Sequence, residues 1–469
     1  MVKFEKISPS FIKAIKKMVS DNSIFVDQTN LEKHAHDETE DLNYLPEMVI
    51  KPESTLQVSN IIKLCSEFNI PVTPQGARTG LSGGALPIFG GVALSLEKLN
   101  SIIDIDTDNL QITVEPGVIV QELQEAVVKL GLFYPPDPSS KGSCFIGGNI
   151  AENAGGPKAV KYGVTKDYVL NLEVVLADGS IIWTGANVLK NATGYNITQL
   201  LVGSEGTLGI VTKAVLKLIP LPKFDRLLLV PFKSIENAAQ AVAAIFKAGI
   251  TPSGLEFMER DAIERTINFM GGSQITIDDD VLAHLLIEVD GNDESVLMDD
   301  LEDILNVVES FNCGEVLFAE DQAQKDKLWE IRRKVGEAVK SHSTYKEEDT
   351  VVPRFRLPEL LKGVKTIGAS YGFKSVCYGH AGDGNLHINI IKGNLSDKEW
   401  NESLKEAIKE IFELTISLGG TISGEHGIGY VQRDYMTIPF NSLQLQLMQQ
   451  IKDVFDSKGI LNPGKILPQ

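Results

Sequence analysis

Four clusters of glycine crowd the stretch from Gln75 to Gly209. They are Gln75-Gly76-Ala77-Arg78-Thr79-Gly80 with Gly83-Gly84; Gly147-Gly148-Asn149 with Asn153-Ala154-Gly155-Gly156; Tyr162-Gly163; and Gly203-Ser204-Glu205-Gly206-Thr207-Leu208-Gly209. Glycine lets a backbone turn at positive φ and lets amides approach an anion closely, so such loops can cradle phosphate. One such loop is an ordinary turn; four in succession point to a nucleotide. The pattern G-x-G-x-x-G is absent, which removes the usual signature of a Rossmann NAD site. Gly459–Lys465 fits G-x-x-x-x-G-K, but Ile466 stands where a P-loop needs Ser or Thr.

The elements around these clusters can be read from periodicity. Ser54 can cap a helix with Val58, Ile61, Ile62, Cys65 and Phe68 on one face. Glu122–Leu130 reads as a second helix with Leu123, Ala126, Val127 and Leu130 inward. Leu172–Leu176 and Ile181–Trp183 flank Asp178-Gly179, a hairpin turn. Ile210–Leu218 alternates, with Lys213 and Lys217 outward. Pro220-Leu221-Pro222 then breaks the chain. Beyond it, strand-like runs at Leu227–Val230, Leu285–Val289, Val316–Phe318, Ser375–Tyr378 and Leu386–Ile391 alternate with helix-like runs. The helix-like runs lie near Ala238–Lys247, Val296–Val308, Ala323–Lys340 and Lys398–Leu418, with a last one at Leu443–Phe455. That order predicts an α+β fold whose antiparallel sheet carries helices on one face. The expected division is 1–45, an N-terminal helical segment; 46–222, the nucleotide domain; 223–422, a cap domain; and 423–469, a returning C-terminal segment.

Charge and composition narrow the function. The chain has 469 residues and a formal charge of −19, with 63 acidic against 44 basic side chains. That balance opposes binding to nucleic acid phosphates or anchoring on anionic lipid. No run is long enough to span a bilayer. The four cysteines are scattered without C-x-x-C, so an iron–sulfur cluster or disulfide framework on this chain is not expected. A reducing cytoplasm fits, with peripheral membrane association left open. The N-terminus has no apolar signal-peptide core, and Lys13, Lys16 and Lys17 read as part of an amphipathic surface helix.

The densest chemistry is in Gly379-His380-Ala381-Gly382-Asp383-Gly384-Asn385-Leu386-His387-Ile388-Asn389. Asp-Gly between strand-like runs predicts a two-residue hairpin. With Asp383 and Gly384 central, His380 would pair directly with His387, and Asn389 would share their face. Glu425 and His426, among glycines in Ser423–Gly429, offer an acid and an imidazole. His380, His387 and Glu425 would then hold one divalent metal, zinc first and manganese or iron as alternatives.

The ordered glycine motifs Pro74–Pro87, Gly147–Gly156 and Gly203–Ile210 closely resemble the FAD domain of the p-cresol methylhydroxylase/vanillyl-alcohol oxidase superfamily. The resemblance implies that Gly76–Gly80 and Gly147–Gly156 line the FAD pyrophosphate and isoalloxazine, with Glu205 and Ile210 near the adenosine. It extends the cofactor set to Pro74, Gln75, Ala77, Arg78, Thr79, Gly84, Pro138, Gly148, Asn149, Asn153, Ala154, Gly155, Tyr162, Gly163, Val164, Gly206 and Asn462. Some members tether FAD through a histidine. Here none lies between His36 and His284, so non-covalent FAD is expected.

Gly379–Asn389, Gly424–Gly429 and Leu461–Lys465 look like the C-terminal domain of the FAD-linked 2-hydroxy acid dehydrogenases. That group includes the glycolate oxidase flavoprotein subunit, flavin D-lactate dehydrogenase and D-2-hydroxyglutarate dehydrogenase. The likeness implies metal at His380, His387 and Glu425, a base at His426, and substrate-carboxylate contacts at Arg332 and Lys346. Gly336 departs from the hydroxyl that D-2-hydroxyglutarate dehydrogenases tend to carry four residues after that arginine. The expected reaction is oxidation of a D-2-hydroxy acid (D-lactate, glycolate or D-2-hydroxyglutarate) to the 2-oxo acid. Electrons would leave through an electron-transfer flavoprotein, a quinone or an iron–sulfur subunit; a homodimer is compatible. Two alternatives share the flavin domain: a subunit that needs partner chains, and a non-redox FAD enzyme of the alkylglycerone-phosphate synthase type.

Overall fold

The computed structural model describes residues 3–39, 42–272 and 277–468. The chain forms two compact units. The first comprises Met1–Ala154, Val164–Leu221 and Glu425–Gln469; the second comprises Gly155–Gly163 and Pro222–Gly424.

The first unit holds two main sheets. Strands β1 (Ile24–Phe25), β2 (Met48–Ile50), β3 (Val72–Gln75) and β4 (Val92–Ser95) make one, in the order β1-β2-β4-β3. Helix Thr55–Phe68 begins at Ser54, whose side chain accepts the Gln57 amide, and buries Val58, Ile61, Ile62 and Cys65. Phe11 and Ile15, on helix Pro9–Ile15, lie fully buried in the same core. The N-terminal helix is amphipathic as expected: that face packs on helix Thr55–Phe68, while Lys13 and the following Lys16 and Lys17 are exposed. Strands β5 (Ile102–Asp106), β6 (Gln111–Val114), β8 (Val169–Val175), β9 (Ile181–Trp183) and β10 (Ile210–Lys217) make the second sheet, ordered β5-β6-β10-β8-β9. A small pair, β7 (Leu132–Phe133) with β11 (Ile219–Pro220), stands apart. Asp178-Gly179 does turn β8 into β9, with Gly179 at φ +85°. Helix Val120–Val128 ends before Leu130, which is exposed instead of inward. The C-terminal segment returns beside β3, where the Asn462 amide donates to the Val72 carbonyl.

The second unit is built on one seven-stranded sheet. Its strands are β12 (Phe224–Phe232), β13 (Gly254–Glu259), β14 (Ala283–Gly291), β15 (Leu317–Phe318), β16 (Tyr345–Val351), β17 (Lys374–Gly379) and β18 (Asn385–Ile391). Their order is β15-β12-β14-β13-β17-β18-β16, and every pairing is antiparallel. Helices cover both faces, not one. Helices Arg260–Phe269, Gln322–Arg333 and Val335–His342 pack on the face of Leu227, Leu286, Met258 and Tyr378. Helices Ile235–Lys247, Glu294–Glu309, Leu357–Tyr371 and Asp397–Ser417 contact the sheet or one another without joining that cluster. β13 and β14 are buried on both faces, β14 up to its last residue, and strands of that kind carry no sign of a solvated side. The run Ala323–Lys340 is two helices, broken at Lys334.

Candidate active site

Parity along the strands decides what the functional face carries. In an antiparallel pair, residues opposite each other point the same way, and alternate residues share a face. β17 sets Tyr378 opposite His387 and Val376 opposite Asn389. β13 sets Met258 opposite Tyr378, so Glu256, two residues earlier, joins that face. β16 sets Glu347 opposite Asn389 and Asp349 opposite His387. One buried face thus gathers Glu256, Tyr378, His387, Asn389, Glu347 and Asp349.

The hairpin differs from the two-residue turn that Asp383-Gly384 suggests. Ala381–Asp383 form a 3₁₀ turn, and Gly384 closes it at φ +76°. The longer turn moves the partner of His387 from His380 to Tyr378. The shift is two residues, so parity is kept and His380 stays on the same face. The two imidazoles meet edge to face, ring centres 5.5 Å apart, with ring nitrogens within 4.8 Å.

Carboxylates orient these rings. His380 Nδ1 lies 2.9 Å from both oxygens of Glu256, which is fully buried. The Arg332 guanidinium pairs with the same carboxylate at 2.6 Å. Burial would raise the Glu256 carboxyl, but Arg332 and then His380 outweigh it and hold it below the ordinary value. His387 Nδ1 faces Glu347 at 3.4 Å and Asp349 at 3.9 Å. Asp349 is fixed by the Asn385 amide at 2.6 Å and the Gly424 backbone amide at 2.9 Å. The Arg332 guanidinium lies 5.0 Å from the centre of the Tyr378 ring. Polar atoms here without a hydrogen bond among the described residues include Arg332 Nε and both Oδ1 and Nδ2 of Asn389. Both residues are buried, so a ligand is the natural partner.

The donor set fits a divalent cation. With Nδ1 committed to a carboxylate, His380 presents Nε2 as a ligand, an arrangement common behind metal-binding imidazoles. The carboxylates of Glu256, Glu347 and Asp349 outnumber the guanidinium of Arg332 on this face, an excess that a dication offsets.

Lys346 is a correction. The register pairs it with Ile390, one residue out of phase with Asn389, on the opposite face of the sheet. Glu347 takes the place expected of it. Gly336 also has a structural counterpart: a β-carbon there would lie 3.3 Å from the Tyr378 hydroxyl oxygen. A hydroxyl thus stands beside that helix position, supplied by strand β17. Glu256, Glu347 and Tyr378 were missed from the sequence. The signal available was an acid or phenol inside a strand; β13 and β16 themselves went unread.

Gly424 closes the second unit, and the next residues, Glu425 and His426, open the last stretch of the first. There the amides of Ile428 and Gly429 donate to the Glu205 carboxylate, each at 2.8 Å.

In the first unit the structure assembles most of the expected cofactor residues. Pro74 and Gln75 end β3, and the Gln75 amide donates to the His34 and Ala85 carbonyls. Gly147, Gly148 and Asn149 lie on helix Ile146–Glu152, which Asn153 caps at φ +57°. Glu205 sits at φ +50°, and Gly206 packs on Pro74. Ile210 begins β10, and the Asn462 amide donates to the Gly84 and Glu205 carbonyls. A β-carbon at Gly80 or Gly148 would meet nothing within 4 Å, while one at Gly76 would lie 3.6 Å from the Gly148 amide nitrogen. The Ser82 hydroxyl, buried, makes no hydrogen bond among the described residues. Glycine edges facing open space beside an unsatisfied donor suit a pyrophosphate. Gly155, Gly156, Tyr162 and Gly163 fall in the second unit, where the Tyr162 hydroxyl donates to Asp290 at 2.7 Å. Although no histidine precedes His284 in the glycine loops, His34 packs against them, 2.6 Å from Gln75 Oε1.

These features are those of a flavin-binding unit and a carboxylate–imidazole cap, and the chain belongs to the FAD-linked oxidases. Its residues 221–466 match the family described as FAD linked oxidases, C-terminal domain, and residues 46–185 match the FAD binding domain. It is 39% identical to a D-lactate dehydrogenase of Anaerostipes hadrus, over 99% of this chain and 98% of the relative. It is 41% identical to the glycolate oxidase subunit GlcD of Bacillus subtilis, over 92% and 91%. A D-2-hydroxyglutarate dehydrogenase of Stutzerimonas stutzeri is 32% identical over 98% and 99%. The fold is shared with p-cresol methylhydroxylase, at TM-score 0.82 and 17% identity, covering 99% of this chain and 98% of that one. The protein is an FAD-dependent oxidoreductase. Among the described residues, no helix is long and apolar enough to cross a membrane.

Proposed function

We propose that this enzyme oxidises a small D-2-hydroxy acid to the 2-oxo acid. The observation that carries the reading is the buried face on which Arg332, Asn389, His380 and His387 converge, in a chain of the FAD-linked oxidase family. Gly76–Gly80, Gly147–Ala154 and Glu205–Ile210 would hold FAD, which would supply the hydride acceptor. His380, His387 and Glu425 would hold a divalent ion, zinc in the first instance, which would supply Lewis acidity.

The chain's own groups do the rest. A free alcohol has a pKa of roughly 16, so an imidazole near 7 faces about 9 units, or about 12 kcal/mol, if it acts alone. His426 takes the hydroxyl proton on an imidazole nitrogen. Arg332, with Nε unspent, binds the carboxylate, and Asn389 donates or accepts at the hydroxyl end. Glu256 fixes the His380 tautomer. Electrons leave to a partner flavoprotein, a quinone or an iron–sulfur subunit.

The test is anaerobic. The purified yellow protein is mixed with D-lactate, L-lactate, glycolate or D-2-hydroxyglutarate, with and without a chelator. Bleaching by a D-acid or glycolate is expected, slowed at least a hundredfold by the chelator and by His387→Ala. Full-rate bleaching by His387→Ala would remove the metal from the proposal.

A further inference from the structure

We infer that Glu347 makes this site selective for short 2-hydroxy monocarboxylates and turns away substrates with a second carboxylate. The inference deepens the proposed function and rests on it.

The argument begins with register. β16 is an edge strand, and its pairing with β18 turns Glu347 to the face of Asn389 and His387. The Glu347 side chain is 6% exposed. The Tyr378 hydroxyl donates to its Oε1 at 3.3 Å. The position therefore holds an acid, locked by a phenol, where a dicarboxylate would need a cation. Lys346 cannot serve from the opposite face of the sheet.

Charge and room then act together. The guanidinium on this face, Arg332, already spends one edge on Glu256 and has Nε left, enough for one carboxylate. A second carboxylate would approach Glu347 or Asp349. Like-charge repulsion over about 5 Å of protein interior weakens binding on the order of a hundredfold. Tyr378 closes the space beside Gly336, where even a β-carbon would come 3.3 Å from its hydroxyl oxygen. A methyl group or hydrogen on the α-carbon meets neither obstacle.

Steady-state kinetics of the intact holoenzyme with an artificial electron acceptor test this. We expect kcat/KM for D-lactate to exceed that for D-malate and D-2-hydroxyglutarate by about a hundredfold or more, mostly through KM. In Glu347→Gln the gap should narrow at least tenfold, again through KM for the dicarboxylates. Wild-type enzyme using either dicarboxylate within tenfold of D-lactate would overturn the inference, and needs no variant to fold. An unchanged ratio in a folded Glu347→Gln protein would also overturn it. Bleaching by a dicarboxylate alone refutes this inference and keeps the proposed function; bleaching by no hydroxy acid refutes both.

Discussion

Glu256 is the residue on which most of the site's geometry depends. It touches a guanidinium on one side and an imidazole on the other, at full burial. Removing its charge leaves Arg332 buried beside a neutral amide and frees His380 to rotate or change tautomer. Breaking one partner of a buried pair typically costs about 3–5 kcal/mol. Losing the carboxylate behind a metal-binding imidazole typically costs about 10–100-fold in metal affinity. Glu256→Gln is therefore expected to melt earlier and to bind zinc about 10–100-fold more weakly, measured by titration against a competing chelator. Wild-type zinc affinity in that variant would show that something else orients His380. The sequence could not single this residue out. Glu256 stands in Gly254–Glu259, a six-residue strand with neither alternation nor turn signals, and its partners are distant in the chain.

At the scale of elements, the turn between β17 and β18 sets the spacing of the two imidazoles. Gly384 has φ +76°, and a β-carbon there would fall 1.9 Å from the Val352 carbonyl oxygen. A left-handed conformation costs an L-residue about 1–2 kcal/mol before any clash. Gly384→Ala should lose about 2 kcal/mol or more in urea unfolding and lower metal content in parallel. A loss of stability with metal binding intact would separate the turn from the site. Asp383-Gly384 was legible as a turn signal, and so was the shared face of His380, His387 and Asn389. The turn length was not, because three residues of helical backbone in Ala381–Asp383 leave no mark in residue type. β16 was hidden for a different reason. Tyr345–Val351 is rich in acids, and two of them, Glu347 and Asp349, face inward to a polar site instead of outward to water. Local patterning assumes an apolar interior, and here the interior is built for chemistry.

Over the whole molecule, two buried histidines, one in each unit, are held neutral by desolvation. Burial lowers His34 in the first unit and His284 in the second to about 4. In the unfolded chain both titrate near 6.5. Between those values the unfolded state binds protons that the folded state refuses, so stability falls as the pH drops from about 6.5 to 4. Each group contributes on the order of 3 kcal/mol to that slope at most. The urea midpoint should therefore drop over this window, and His284→Met should flatten the drop in the second unit. A midpoint independent of pH between 6.5 and 4 would contradict the burial of both. The division near Pro220-Leu221-Pro222, the two-sheet flavin unit and the antiparallel sheet of the cap all had marks in the sequence: proline punctuation, glycine loops and alternation. Helices on both faces of the cap sheet had none, since doubly buried strands look the same whichever side is covered.

The pairing of β16 with β18 has a further meaning. Lys346 and Glu347 are neighbours in sequence and opposites in charge, and a strand alternates sides with every residue. Were the edge strand to slip one place, Lys346 and Glu348 would turn to the pocket while Glu347 and Asp349 turned away, and two negative charges would give way to a cancelling pair. The electrical bias that an incoming molecule meets is thus stored in a row of backbone hydrogen bonds, and a change of alignment would erase it without a single substitution inside the strand.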